Sequence, residues 1–463
     1  MKLARAAWCV ALLAGVMPGV AKAQGFQLNE IGSCALARGQ AVTASPCNDA
    51  SAIYWNPAAT TSLSGWSAYF GAAWINVRGS YTSDTTGTST PGAVPPAFPP
   101  NIFVNYTAPS HKWAAGVGVY APFGLTSQWP NGFQGNFIGQ KAALATIYVQ
   151  PNFAYSINKD WSVGAGFVFG YSTVQLKEAL DLSTQFAAPG ITFGMLGIPQ
   201  FTQFGLATVD GSGTQYGYSL GVHGKIGSDW QVGARYLSQM NFKYNNGKAT
   251  FTQVTTGLAV PAAGPPLNVP AGTPIDALLT PEFLVGGPLV SQGANTQLNH
   301  PWQGEVGLAY TGFTNWTVEL DYQVTGFSSF KNIDLTFTGP AAGSSQTLIE
   351  DYTNAWTIRA GAEHAFASGI KGRIGASYVS TPVPDVTVTP LLPDQNRENI
   401  MLGAGFPLGA TWSLDAAYEF VNTQGRRGRV LNRTSESQTA ADLNTGWYEL
   451  TANILSVSLK ANF

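Results

Sequence analysis

The sequence predicts an all-β membrane protein: a 14-stranded antiparallel transmembrane β-barrel with an N-terminal hatch, or plug, inside the lumen. Three observations predict it. The chain ends on a strict alternation, with Leu455, Val457, Leu459, Ala461 and Phe463 apolar and Ser456, Ser458, Lys460 and Asn462 polar. Period-two alternation puts one strand face in an apolar solvent and the other in a polar one. A strand that closes on a terminal aromatic ring suits a sheet without an edge. Second, short gaps (110–112, 158–160, 227–229, 311–315, 367–369, 407–410) alternate with long ones (78–100, 126–142, 179–212, 245–300, 338–353, 381–396, 424–445). Six short and seven long gaps separate fourteen strands, with short turns at the periplasmic rim and long loops outside. Third, Trp113, Trp161, Trp230, Trp316 and Trp412 each follow a short gap. Indole is most stable at a membrane interface, so this spacing predicts a ring at one rim.

Residues 1–23 read as a secretory leader, with Lys2 and Arg5 ahead of an apolar run and Ala21-Lys22-Ala23 at the cleavage site. Without Lys2, Arg5 and Lys22 the formal charge of −2 becomes −5. Nothing beyond the leader approaches 18 uncharged apolar residues, so strands must make any bilayer crossing. Residues 24–65 do not alternate and are rich in Ala, Ser and Gly, which suits a compact plug folded back into the lumen. A barrel of this size would otherwise hold water. Cys34 and Cys47 form the disulfide candidate, in a compartment that permits one; two separate buried thiols are the alternative.

Residues 66–463 supply the barrel. Val318, Leu320, Tyr322 and Val324 alternate with Thr317, Glu319, Asp321 and Gln323, and Trp412, Leu414, Ala416, Tyr418 and Phe420 with Ser413, Asp415 and Glu419. The charges belong on the lumen face, because a basic group facing lipid at mid-depth costs about 2–4 kcal/mol. Glu305, Glu319, Asp321, Arg359, Glu363, Arg373, Asp415 and Glu419 are expected to pair across the interior. They either hold a plug or line a polar channel.

The two longest loops speak to function. Residues 179–209 carry one charge, Asp181, and residues 254–298 two, Asp276 and Glu282. They hold Phe193, Phe201 and Phe283 among many other large apolar groups. Apolar groups on an exposed surface mark a binding site, so an outer groove that captures a hydrophobic small molecule is expected; a lid with a private core is the alternative. Burial in such a groove is worth roughly 25 cal/mol per Å². Lys177, at the top of the fifth strand, is the candidate for meeting a ligand carboxylate; an ordinary rim lysine is its other reading. Few basic residues occur in these loops, which weakens the case for fatty acids against aromatic hydrocarbons.

No basic run suggests nucleic acid. His111, His223, His300 and His364 are scattered without metal spacing, and no nucleophile elbow or phosphate loop occurs. No enzyme activity, cofactor or metal is expected. A general diffusion porin and a surface adhesin or receptor are the rival classes, and the apolar loops count against the porin.

Several blocks in order resemble the FadL-type outer-membrane transporters of long-chain fatty acids and hydrocarbons. They are residues 25–30 (GFQLNE), 36–39 (LARG), 49–51 leading to Asn56-Pro57-Ala58, 121–125 (APFGL), 161–166 (WSVGAG) and 392–397 (LPDQNR). The cysteine pair departs from that pattern. The resemblance implies a hatch without an inner-membrane energy partner, and Phe26 and Leu28 near a ligand pocket. It implies passive uptake in the cell outer membrane, with lateral exit where Asn56-Pro57-Ala58 packs near an inward kink of the third strand. The candidate kink is Pro122-Phe123-Gly124: Pro lacks the ladder donor and Gly weakens the strand. Nine steps of ~3.3 Å from Trp113, tilted by ~40°, rise roughly 23 Å of a ~25 Å apolar band. That height fits a plain strand end equally well, and the resemblance favours the kink. The expected partners are the hydrophobic ligand, outer-membrane lipid and lipopolysaccharide, with the barrel a monomer.

Overall fold

The computed structural model describes residues 25–260, 264, 267–430 and 443–463; the leader expected at 1–23 lies outside them. Fourteen wall strands run in chain order. They are β1 (Gly65–Ser83), β2 (Pro100–Thr107), β3 (Trp113–Tyr120, resuming as Gly124–Gln128), β4 (Lys141–Ser156) and β5 (Trp161–Asp181). Next come β6 (Gln203–Ile226), β7 (Trp230–Leu237 and Met240–Gln253), β8 (Gln292–His300 and Gln303–Tyr310) and β9 (Trp316–Thr325, with Asn332–Phe337 beyond it). The last are β10 (Gln346–Ile349 and Ala355–Ala365), β11 (Lys371–Val379), β12 (Arg397–Leu408), β13 (Trp412–Thr423) and β14 (Gly446–Asn462). Each pairs antiparallel with its neighbours in sequence. The cylinder closes where β1 meets β14, in register from Ser67 opposite Asn462 to Ser83 opposite Gly446.

The wall is apolar outside and polar inside. On β14, Val457 is 54 % exposed while Ser458 beside it is 1 % exposed. On β9, Val318, Leu320 and Tyr322 face outward and Glu319, Asp321 and Gln323 are buried. Burying the polar face and exposing the apolar one is stable only against lipid. Trp113, Trp161, Trp230, Trp316 and Trp412 all sit at strand starts, 39–44 % exposed, as a girdle at one rim. The short turns reverse the chain through single left-handed residues such as Gly227 and Asn315.

The lumen is filled by residues 25–63, nearly all buried. Two short helices, α1 (Ser33–Ala37) and α2 (Ala52–Trp55), lie in this segment. Small side chains let it approach the wall closely. A Cβ on Gly375 would collide with Gly39, and one on Gly233 with the Thr43 carbonyl. Ion pairs fix the same contact. Arg38 pairs with Glu319, its Nε donating to Oε2 at 2.8 Å. Lys460 reaches Asp415 at 3.0 Å and Asp49 at 3.8 Å. The Thr43 N–H donates to Asp321 at 2.8 Å. Other lumen charges pair across strands, as in Arg235–Glu305–Arg359 and Asp415–Arg373–Glu363–Lys371, whereas Glu419, expected to pair, makes no ion pair among the described residues. A disulfide joins Cys34 to Cys47. Asn56 Nδ2 donates to the Thr43 and Val222 carbonyls at 2.8 and 3.0 Å, and Pro57-Ala58 packs on Gly164 and Gly221.

Candidate functional site: a broken strand between two cavities

β3 pairs with β2 only up to Val119, opposite Ile102. The chain then leaves the ladder at Ala121-Pro122-Phe123 and resumes with Gly124–Gln128, which pairs with β4 alone. Pro122 has no N–H to offer at the break. The N-terminal segment takes the place of the lost neighbour. The Leu28 N–H donates to the Pro122 carbonyl at 2.9 Å, and the Gly124 N–H to the Phe26 carbonyl at 2.9 Å. Phe123 itself turns inward and is buried against Phe26, ring centroids 5.9 Å apart.

On the other side of the break, residues 91–99 run along β1 instead of β3. Ile75 and Ala97 exchange two backbone bonds, at 2.9 and 3.0 Å. Among the described residues one backbone hydrogen bond spans from this segment to the upper half of β3, Ala93 N–H to the Gln128 carbonyl at 2.7 Å. Pro91, Pro95, Pro96, Pro99 and Pro100 have no donor to add. The wall is therefore unzipped between this segment and Gly124–Gln128, and Phe98 stands 66 % exposed beside the opening.

A cavity of about 440 Å³ lies behind it. Leu28, Ile75, Val77, Val94, Leu125 and Leu144 line its apolar side. A second, apolar cavity of about 50 Å³ sits across Phe26 from the first. Val174, Leu176, Leu298, Phe330, Tyr352 and Leu391 help to form it, and no Lys or Arg lines it. Leu125, Leu144 and Leu392 belong to both linings, so Phe26 and Leu28 form the partition. The Phe26 ring is held by Phe327, Phe330 and His300 at 5.1, 5.6 and 5.9 Å.

Sequence reasoning missed Phe330, Tyr352, Leu391 and His300. His300 packs tilted against Phe242, ring centroids 4.4 Å apart, and meets the Tyr148 hydroxyl at 3.1 Å, a place in an aromatic cluster that motif spacing cannot reveal. Lys177 lines neither cavity. Val174 and Leu176 point into the apolar one, so its position in the alternation turns it away.

The outer loops pack on one another. Leu182, Phe193, Phe204, Val260, Ile275 and Leu279 share a buried cluster. Phe283 packs on Phe204 at 5.9 Å and Phe201 on Phe137 at 5.4 Å. None of Phe193, Phe201 and Phe283 reaches either cavity, and at these positions the loops form a lid with its own core. Its tips remain apolar: Phe186, Met195, Leu284 and Val285 are exposed, Val285 at 98 %. Asp276 ties the lid together, accepting from the Thr256 N–H and hydroxyl and the Gly257 N–H at 2.9, 2.8 and 3.2 Å. Burial pushes its carboxyl up, but these donors outweigh that and hold it below the usual carboxylate range.

Residues 14–463 match the model for the outer membrane protein transport protein family (OMPP1/FadL/TodX). The chain belongs to this family. The FadL-type barrel is 24 % identical over 413 residues to the long-chain fatty acid transport protein of Escherichia coli O6:H1, covering 86 % of this chain and 87 % of that one. It is 23 % identical to outer membrane protein P1 of Haemophilus influenzae, over 92 % and 94 % of the two chains. Among solved structures, a Pseudomonas aeruginosa FadL homologue superposes with a TM-score of 0.75 at 19 % identity, covering 95 % of this chain and all of that one (100 %). The P. putida toluene transporter TodX superposes with a TM-score of 0.66 at 15 % identity, over 94 % and 99 %. These likenesses place a FadL-type barrel in the outer membrane.

Proposed function

We propose that the chain takes up hydrophobic molecules, long-chain fatty acids or related apolar compounds, passively across the outer membrane. The apolar loop tips collect the ligand, the pocket beside Phe26 receives it, and the 440 Å³ cavity releases it sideways through the gap at β3. Leu182, Phe193 and Phe204 hold the lid in shape over this route. Residues 25–63 act as the hatch, and the route needs only its first residues to move.

One observation carries this reading. Phe26, Gln27 and Leu28 are bonded to the broken edge of β3 and stand between the two cavities and the opening. Displacing three residues joins pocket, cavity and membrane. A water-filled porin has no use for a lumen packed this way. In this reading the barrel works as a monomer embedded in outer-membrane lipid and lipopolysaccharide. Aromatic hydrocarbons are the second reading of the substrate, favoured by a pocket mainly of rings and aliphatic groups whose lining includes Glu350 and no cation.

The test fills the gap. Ala97→Trp with Thr126→Trp puts two indoles into the opening. Uptake of labelled oleate and labelled toluene is measured in cells that depend on this chain. Uptake falls at least tenfold with the folded barrel retained in the membrane. Unchanged uptake would rule out lateral exit.

A further inference from the structure

The outer face of the wall carries two lysines that no described residue neutralises. Lys141 on β4 and Lys177 on β5 are register partners. Alternation turns both outward: Phe153, Phe167 and Tyr171, of the same parity, are exposed on the lipid side, whereas Leu144, Val174 and Leu176 line the apolar cavity. Directly opposed side chains on one face hold their Cβ atoms about 5 Å apart, and like charges placed so repel. Among the described residues neither ammonium group makes an ion pair or donates a hydrogen bond. Glu178 alternates to the other face of β5. Asp210, diagonal to Lys177 on β6, accepts from Gln175 at 2.6 Å and has Lys248 as its own register partner. Gln128 stands opposite Lys141 on its other side.

Lys177 stands high on the wall. Sixteen steps of ~3.3 Å from Trp161 in the rim girdle, tilted by ~40°, rise roughly 40 Å, about 15 Å past a ~25 Å apolar band. A simple phospholipid head group adds only about 5–7 Å on each side of a bilayer. We propose that Lys141 and Lys177 bind one phosphate of the sugar head group of an outer-leaflet glycolipid, lipopolysaccharide in chemical class. The phosphate sits between the two ammonium groups, takes a charge-assisted hydrogen bond from each and cancels their repulsion. The Gln128 amide adds a neutral donor beside it. Gln128 ends the upper half of β3, the unzipped edge, so the bound glycolipid stands beside the top of the gap.

This site needs the barrel in its membrane and does not rest on the uptake reading above. The barrel, expressed from the full-length chain and purified folded in detergent, is titrated with four probes: rough-type lipopolysaccharide, the same lipopolysaccharide stripped of its phosphates, phosphatidylglycerol and inorganic phosphate. Native mass spectrometry counts the bound copies. Lipopolysaccharide with its phosphates binds at least tenfold tighter than the stripped form, the factor that one hydrogen bond to a charged group supplies. Lys141→Gln with Lys177→Gln abolishes that difference, and Lys112→Gln with Lys159→Gln, at the opposite rim, leaves it intact. If the first pair does not fold, Lys141→Glu, which gives Lys177 an opposite charge, carries the same comparison. Equal binding with and without phosphates, or a difference that survives Lys141→Gln with Lys177→Gln, would overturn the proposal. Phosphatidylglycerol or inorganic phosphate binding as tightly at the two lysines would also overturn it, making the site one for a simple head group or a free ion.

Discussion

Replacing Phe26 with Ala tests whether the partition moves independently of the rest of the lumen segment. The Phe26 ring contacts four other rings, those of Phe123, Phe327, Phe330 and His300, at 5.1–5.9 Å. Truncating a buried Phe costs about 3–5 kcal/mol. The partition has space on both sides into which it can relax, so the lower figure applies. A loss of about 3 kcal/mol multiplies the undocking equilibrium by roughly a hundred. Two amides report on it, Leu28 N–H bonded to Pro122 and Gly124 N–H bonded to Phe26. A third, Leu36 N–H bonded to Gly32 within α1, is the control. Hydrogen exchange in the detergent-solubilised barrel reads all three, because exchange through local opening scales with the opening constant. Leu28 and Gly124 exchange about a hundredfold faster in Phe26→Ala, and Leu36 does not change. An equal rise at Leu36 would mean that the whole segment leaves together. No rise at Leu28 would mean that Phe26 does not hold the partition.

Three further outcomes are expected. Arg38→Met strands Glu319 among the like charges of Asp321 and Glu363, and lowers stability to urea by about 3–5 kcal/mol; Arg38→Met with Glu319→Gln recovers most of that. Replacing Cys34 and Cys47 together with Ser removes a link between residues 13 apart in sequence and costs roughly 3 kcal/mol in the chain-entropy model, read as a lower urea midpoint. The Asp276 carboxyl is held below its usual range, so its contribution to the lid is present above the unfolded-state pKa and is lost as pH falls through the folded one. Protease cleavage within the lid therefore speeds up on acidification, and Asp276→Asn removes that pH dependence.

The barrel was legible because lipid imposes a simple rule on every strand. Leu455, Val457 and Leu459 could be read as outward, and Ser456 and Ser458 as inward, from alternation alone. The tryptophans after the short turns marked one rim in the same way. The site was less legible. Phe26 and Leu28 stood out only through the resemblance, because their role depends on hydrogen bonds to a strand almost a hundred residues away. Phe330, Tyr352 and Leu391 come from three separate loops, and barrel closure, which leaves no local pattern, brings them together. Composition showed that the outer loops are apolar, but composition is the same whether Phe193 and Phe204 line a groove or pack on each other. Lys177 was within reach of sequence reasoning: one step along β5 from Leu176, alternation already turned it from the pocket.

The five prolines of residues 91–100 have a consequence for how a sheet can stay open inside a bilayer. Backbone N–H groups left bare in hydrocarbon are costly enough to pull a parted seam shut or to recruit a foreign strand. Half of the residues along one side of this seam own no such group, so that side has few donors with which to zip closed or to template a neighbour. Here the protein holds a permanent slit in an otherwise sealed fabric by choosing thread that cannot be stitched.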